Sequence, residues 1–153
     1  MSSRSKNSCA ATAVEGRIFV ALLKAADVVG QQAAQLLKSA ALTGAQYNVL
    51  RILRGAEPGG LPCRAIGAAM ISRDPDITRL LDRMEKRGLV TRERQTDDRR
   101  VVKTQVTLEG LRILKTLDQP VHELHQQQFQ HMAAARLKQL EELLDEVRAK
   151  NSE

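Results

Sequence analysis

The sequence predicts a mainly α-helical fold with a small β-hairpin wing, organised as a winged helix-turn-helix head on a helical stem. Apolar residues recur at steps of three and four over most of the 153 residues, which indicates amphipathic helices. Two of these helices are joined only by a short turn at Ser72-Arg73, as in a helix-turn-helix. Two strand-like segments, with an arginine-rich turn between them, follow Gly88 and predict the hairpin.

Three helices are predicted in the first half of the chain. Residues 1–10 are Ser-rich and basic with little to bury, so we expect a flexible arm there. A long amphipathic helix is predicted from about Ala13 to Lys38. Thr43 is placed to cap a second helix over residues 44–54. The third helix is predicted from Pro62 to Met70, with Pro62 as its first helical residue.

The second half begins with the helix that precedes the hairpin. Asp74 followed by Pro75 predicts its start, and Gly88 predicts its end after residue 87. Four apolar residues of this helix share one face: Ile77, Leu80, Leu81 and Met84. Strands are predicted at residues 89–94 and 101–106, a helix at about 107–132, and a last helix that contains residues 137–147.

The polar sides of the helix at 75–87 and the tip of the hairpin carry basic residues. The major groove of B-DNA is about 12 Å wide and admits one α-helix, and the arginine fork matches guanine O6 and N7. An arginine at the hairpin tip can enter a narrow, negative minor groove. We expect Asp97 and Asp98 to hold such arginines extended. The predicted DNA-binding residues are Arg73, Asp76, Thr78, Arg79, Arg83, Lys86, Arg99 and Arg100.

The charge distribution agrees with a nucleic-acid-binding head. The net charge is +6, and residues 1–103 hold 18 basic and 10 acidic residues, whereas residues 104–153 hold 6 and 8. This asymmetry is typical of a polyanion-binding head joined to a protein-binding stem. Aromatic residues make up only 2% of the chain, which argues against single-strand binding by base stacking.

Other functional classes lack their motifs. The chain has no phosphate loop and no nucleophile elbow, so we predict no enzymatic activity and no cofactor. His122 and His125 are one turn apart without a third ligand, and we expect them to be solvated rather than part of a metal site. Cys9 and Cys63 form no disulfide framework, and redox sensing through them is the lesser alternative. No apolar run reaches membrane-spanning length, which predicts a cytoplasmic protein.

The residues described so far resemble the MarR family of bacterial winged-helix transcription regulators. The likeness covers about residues 12–150 and is strongest in residues 78–92, 98–100 and 107–110, with a further match at 42–50. The resemblance implies a homodimer built from the N- and C-terminal helices. It also implies a DNA-reading helix that starts near Asp74 and a minor-groove arginine that aligns with Arg100, oriented by Asp98.

One segment departs from the family pattern. Arg73-Asp74-Pro75-Asp76 replaces the small or hydroxyl residues that are usual where the reading helix begins. Two carboxylates at this position would repel phosphate. Either they cap the helix, or Asp76 accepts a hydrogen bond from a cytosine amino group.

The resulting domain organisation is an arm at 1–10, a winged helix-turn-helix DNA-binding domain at 41–107, and a helical dimerisation region at 11–40 and 108–150. The first and last helices carry apolar stripes that the head alone cannot cover. A twofold dimer would place two reading helices about 34 Å apart on a pseudo-palindromic operator.

The predicted function is that of a sequence-specific regulator of transcription that binds double-stranded DNA, a repressor by family habit. The alternative is a winged-helix scaffold for protein interactions. The resemblance further implies release from DNA by a small aromatic ligand. Tyr47, Arg51 and Cys63 lie near where its pocket would be, although Tyr47 is equally suited to the core.

Overall fold

The computed structural model describes residues 4–56, 58–72, 76–94 and 101–151, with side chains from residue 13 onward. The mainly helical fold with a small sheet is confirmed. The elements in chain order are α1 (Arg4–Leu37), α2 (Gly44–Gly55), β1 (Leu61–Pro62), α3 (Cys63–Ala69), α4 (Ile77–Lys86), β2 (Val90–Arg94), β3 (Val102–Val106), α5 (Leu108–Phe129) and α6 (Ala134–Lys150). The chain divides between Leu117 and Asp118 into two compact units.

Helix α1 is longer than predicted. It begins at Arg4 rather than near Ala13, so residues 4–10, predicted as a flexible arm, have helical backbone. Residues 4–12 contain neither glycine nor proline, and their alanines favour the continuation of the helix toward the N-terminus. The helix passes at its C-terminal end into a 3-10 turn at Lys38–Ala40.

Helix α2 begins as predicted with Thr43 as its N-cap. The Thr43 hydroxyl accepts from the backbone N–H of Gln46 at 3.2 Å, and the Gln46 Oε1 accepts from the backbone N–H of Thr43 at 3.0 Å. This reciprocal pair is a capping box. Leu50 and Leu53 are fully buried, whereas Tyr47 is only half-buried.

The two predicted strands are confirmed, each beginning one residue later than expected, and a third strand joins them. The sheet is antiparallel with the order β1-β3-β2. In the β2–β3 hairpin, Val90 pairs with Val106 and Arg94 pairs with Val102. Strand β1 was not predicted, and Pro62 therefore does not serve as the first residue of α3. Its extended backbone, with ψ of 151°, pairs with β3 and makes it the N-cap instead.

A glycine corner joins α4 to β2. Gly88 has a φ of +69°, a conformation that favours glycine, and ends α4 as predicted. The backbone N–H of Gly88 donates to the Glu85 carbonyl at 2.8 Å, and that of Leu89 donates to the Met84 carbonyl at 3.0 Å. This pair of bonds is a Schellman motif, which satisfies the last carbonyls of the helix and turns the chain directly into the hairpin.

Thr107 ties the start of α5 to the same corner. Its hydroxyl donates to the Gly88 carbonyl at 2.6 Å and accepts from the backbone N–H of Gly110 at 3.1 Å. Its own backbone N–H donates to the Leu89 carbonyl at 3.1 Å. The sequence Thr107-Leu108-Glu109-Gly110 therefore combines a helix cap with an anchor for the corner that follows α4.

The core of the first unit lies between this corner and helices α2, α3, α4 and α5. Its largest fully buried apolar side chains are Leu50, Leu53, Ile66, Leu81, Met84, Leu89 and Leu114. The second unit contains the remainder of α5 and helix α6. Among the described residues, no helix combines the length and apolar character that a membrane span requires.

The close approach of α5 to the corner predicts a specific sensitivity at Gly110. A Cβ there would lie 2.5 Å from the Leu89 carbonyl oxygen and 2.8 Å from the Val106 side chain. We expect Gly110→Ala to lower the free energy of unfolding by about 1–3 kcal/mol, because backbone must move to make room. Urea denaturation measures this.

The matched control is Gly67→Ala in α3, where nothing lies within 4 Å of the added Cβ. This variant should be neutral or more stable by up to about 1 kcal/mol, because alanine favours the helix. Equal effects of the two substitutions would contradict the close approach at Gly110.

Candidate nucleic-acid interface

Helix α4, called the reader helix below, starts later than the sequence predicted. It begins at Ile77 with Asp76 as its N-cap, and the predicted cap Asp74 and first helical residue Pro75 lie outside the described residues. The Asp76 carboxylate reaches the backbone N–H of Arg79, the third helical residue, at 3.2 Å. Its other oxygen lies 3.1 Å from Arg79 Nε. The carboxylate is thus engaged by the chain itself, which favours the capping alternative over contact with a cytosine.

The reader helix separates an apolar face from a basic one. Leu80, Leu81 and Met84 are buried as predicted, and Ile77 beside them is half-buried. Three basic residues at spacing i, i+4 and i+7 are exposed, and we call them the basic stripe: Arg79, Arg83 and Lys86. Residues at this spacing lie on one side of a helix, so three cations face the same direction.

Arg92 of strand β2 holds the flank of the reader helix. Its Nε donates to Glu85 Oε2 at 2.9 Å, and its Nη2 lies 2.8 Å from the same oxygen and also donates to Asp82 Oδ1. The hydrogen bond to Glu85, with a further contribution from Asp82, raises the pKa of the Arg92 guanidinium against the lowering effect of burial. Both carboxylates on this flank therefore have a cationic partner within the protein.

Two amide side chains of α2 contact the C-terminal end of the reader helix and the turn after α3. Gln46 Oε1, besides closing the capping box, accepts from Arg87 Nη1 at 3.2 Å. Asn48 Oδ1 accepts from the backbone N–H of Ile71 at 2.8 Å, in the turn after α3. Sequence reasoning missed Gln46, Asn48 and Arg92 as positioning residues, because each acts on a partner outside its own helix or strand.

Of the other residues predicted for DNA binding or for support of the hairpin tip, the structure describes one and leaves five outside its described part. Thr78 is exposed, and its hydroxyl lies 3.9 Å from Cys63 Sγ. Five residues lie outside the described part of the chain, and their roles stay predictions: Arg73, Asp97, Asp98, Arg99 and Arg100. Strands β2 and β3 pair as a hairpin next to the reader helix, and Arg92 of β2 contacts that helix directly.

The predicted effector-pocket residues form one pair and one separate residue. Arg51 Nη1 donates to the Tyr47 hydroxyl at 3.3 Å, and its guanidinium carbon lies 5.9 Å from the centroid of the Tyr47 ring. Cys63 is a free, half-buried thiol whose described contact is with Thr78 instead. The side chain of Cys9 lies outside the described residues.

The histidines of α5 do not assemble a metal site in the described part of the chain. His125 Nδ1 lies 3.2 Å from Gln128 Oε1, one turn along the same helix. Over residues with described side chains, no group of three or more His, Cys, Asp or Glu residues could hold a metal ion.

Comparisons with known proteins converge on one family. The sequence model of the MarR family matches residues 42–102. The fold is similar to that of a MarR transcription factor from Planctomyces limnophilus, with 36% identity, a TM-score of 0.67, and coverage of 85% of this chain and 94% of that chain. It is also similar to a mutant MarR from Escherichia coli in complex with operator DNA, with 26% identity, a TM-score of 0.76 and coverage of 86% and 91%.

A relative with a described role is the homoprotocatechuate degradative operon repressor of Escherichia coli. It is 28% identical to this chain over 129 residues, which cover 84% of this chain and 86% of the repressor. The chain therefore spans most of the length of the proteins it resembles.

Proposed function

Because the chain belongs to the MarR family of DNA-binding transcription regulators, we propose that it acts as a homodimeric repressor on a pseudo-palindromic operator. The observation that carries this proposal is the basic stripe. Its three cations lie exposed on the reader helix, with Arg79 also pairing with the cap carboxylate of Asp76, while Asp82 and Glu85 are engaged by Arg92 of strand β2. A helix with this charge separation presents a positive face to the major groove. We further propose that the protein acts in the cytoplasm, where bacterial operator DNA lies.

The proposed contacts divide between two grooves. Arg79, Arg83 and Lys86 approach the major groove together with Thr78 and Arg73, whereas Asp76 remains the cap of the helix. Arg99 and Arg100 enter the neighbouring minor groove, with Asp98 holding them extended. The similar MarR from Escherichia coli has been solved in complex with operator DNA, which supports the proposal that this chain binds DNA.

The basic stripe predicts a loss of operator binding in Arg83→Ala. A bidentate contact to a base is worth about 1–3 kcal/mol, so we expect affinity to fall by about 5- to 150-fold, with a shallower dependence on salt. Fluorescence anisotropy against a duplex enriched from random sequences, measured at two salt concentrations, tests this.

Lys138→Ala, which removes the same charge from an exposed position in α6, is the control and should leave binding unchanged. If the wild-type protein enriches no sequence and Arg83→Ala binds as well as Lys138→Ala, the chain is a protein-interaction scaffold instead.

Exposed apolar residues on two helices support the homodimer. These side chains are 42–63% exposed in the single chain: Val14, Ile18, Phe19, Val20, Leu23 and Val28 on α1, and Leu143, Leu144 and Val147 on α6. Their burial in a second copy would give the predicted dimerisation region at residues 11–40 and 108–150. A twofold axis would then place two reader helices about 34 Å apart, one turn of DNA.

The homodimer predicts that a charge at Phe19, which is 63% exposed, disrupts assembly. We expect Phe19→Asp to elute from gel filtration as a monomer at micromolar concentration, because an unpaired carboxylate cannot be buried in an apolar interface. Gln35→Glu, an exposed position near Lys38 on the same helix, is the control and should remain dimeric. A wild-type protein that elutes as a monomer would refute the dimer.

A small aromatic carboxylate is the proposed effector. Arg51 offers a guanidinium that can bind a carboxylate, and the Tyr47 ring beside it offers an apolar face. The name of the Escherichia coli relative, a repressor of homoprotocatechuate degradation, supports this chemical class.

The proposed effector predicts that at least one member of a panel of aromatic acids raises the melting temperature, because a ligand that binds the native state stabilises it. The increase should shrink in Arg51→Ala. A panel without any stabilising member, or one whose effect is unchanged in Arg51→Ala, would exclude this site.

A further inference from the structure

Two acidic residues lie on the reader helix next to the basic stripe. Asp82 precedes Arg83, and Glu85 precedes Lys86, so each carboxylate sits beside a cation proposed to contact DNA. Neither carboxylate points into the core, since both residues are partly exposed. Left alone, they would place two negative charges within a Debye length, about 8 Å, of DNA phosphates that the helix approaches.

Arg92 brings these two carboxylates to a single guanidinium. Its Nη2 is shared between Asp82 Oδ1 and Glu85 Oε2, and its Nε makes the second bond to Glu85. Only 26% of the Arg92 side chain is exposed, compared with 42% of Asp82 and 38% of Glu85. Arg92 therefore lies beneath the carboxylates rather than in the position of a group that meets DNA itself.

Because Arg92 lies in a strand of the hairpin, its bonds to Asp82 and Glu85 connect the hairpin to the reader helix. Arg92 is the central residue of β2, the strand that leads to the hairpin tip, and it pairs with Thr104 of β3. The reader helix and β2 are already joined at the Gly88 corner. The pairing of β3 with β1 also holds the hairpin, but it does not join the hairpin to the reader helix. The bonds from Arg92 to Glu85 and Asp82, one and two turns before the corner, supply further points of attachment that fix the angle.

We propose that Arg92 is a positioning residue for sequence-specific recognition. It holds the reader helix and the hairpin at the angle at which the two can enter neighbouring grooves, and it engages the two carboxylates of the reader helix that would otherwise repel phosphate. The inference rests on the proposed binding of DNA by the reader helix and the hairpin. Loss of the bonds from Arg92 to Asp82 and Glu85 lowers affinity for the operator more than affinity for DNA of random sequence. Binding to random DNA depends on the attraction between basic side chains and phosphates, which does not require a fixed angle between helix and hairpin.

Glu85→Ala separates positioning from simple electrostatics. The substitution makes the head more positive, so electrostatics alone predicts tighter binding to every duplex. The positioning role predicts the opposite for the operator: about tenfold weaker binding, while binding to a random duplex holds or increases. Glu93→Ala is the matched control, because it removes the same charge from the next position in β2, on the other face of the strand. It should leave the ratio of operator to random affinity unchanged.

Arg92→Lys provides a second variant that keeps the positive charge. Lysine is a point charge that cannot reproduce the fork that joins two carboxylates. We expect a similar loss of operator affinity with random-duplex affinity within about twofold, and Arg94→Lys, two residues along the same strand, should behave as wild type. Thermal melts of all variants show whether each is folded.

The outcomes separate the two levels of inference. If the wild type prefers an operator but both Glu85→Ala and Arg92→Lys retain its operator-to-random ratio, Arg92 is not a positioning residue and DNA recognition stands. The same conclusion follows if the variants lose operator and random affinity equally while folded. A wild-type protein with no sequence preference would overturn both proposals.

Discussion

The corner after the reader helix is the constraint on which the head depends. At this point the end of α4, the start of β2 and the start of α5 lie next to one another. Backbone groups at the corner are hydrogen-bonded to one another and to Thr107. Gly88 supplies the left-handed backbone, Thr107 bonds to its carbonyl, and Gly110 lets α5 approach closely enough to pack. Because Leu89 and Gly110 beside Gly88 are buried in the core, the end of the reader helix and the start of the hairpin are fixed at the same place.

Charge is distributed over the reader helix according to distance from the core. The cap carboxylate of Asp76 serves the helix terminus, and the carboxylates of Asp82 and Glu85 bind a guanidinium beneath them. The outermost positions then hold only cations and Thr78. A helix of nearly balanced composition can in this way present a strongly positive surface, which its sequence composition alone would not indicate.

The sequence predicted those parts of the fold whose causes are local. The Thr43 cap bonds three residues ahead, and Gly88 ends a helix by its own backbone conformation, so both could be identified from short patterns. Strand β1 could not, because Leu61 and Pro62 pair with Thr104 and Lys103, which lie much later in the chain. Arg92 was missed for the same reason: its partners lie on another element, and only the fold brings them together.

The residues that fix the geometry of the head are different from the residues of the basic stripe, and this separation has a consequence for the evolution of operator preference. The groups that set the geometry of the head are Gln46, Asn48, Arg92 and the residues of the corner, and none of them belongs to the basic stripe. The stripe residues Arg83 and Lys86 are exposed and contribute nothing to the buried core. In the binding mode proposed above, substitution at these positions alters the preferred bases and leaves the buried core unchanged. The head is in this sense an adaptable platform, on which new operator preferences can evolve, or be designed, one exposed side chain at a time.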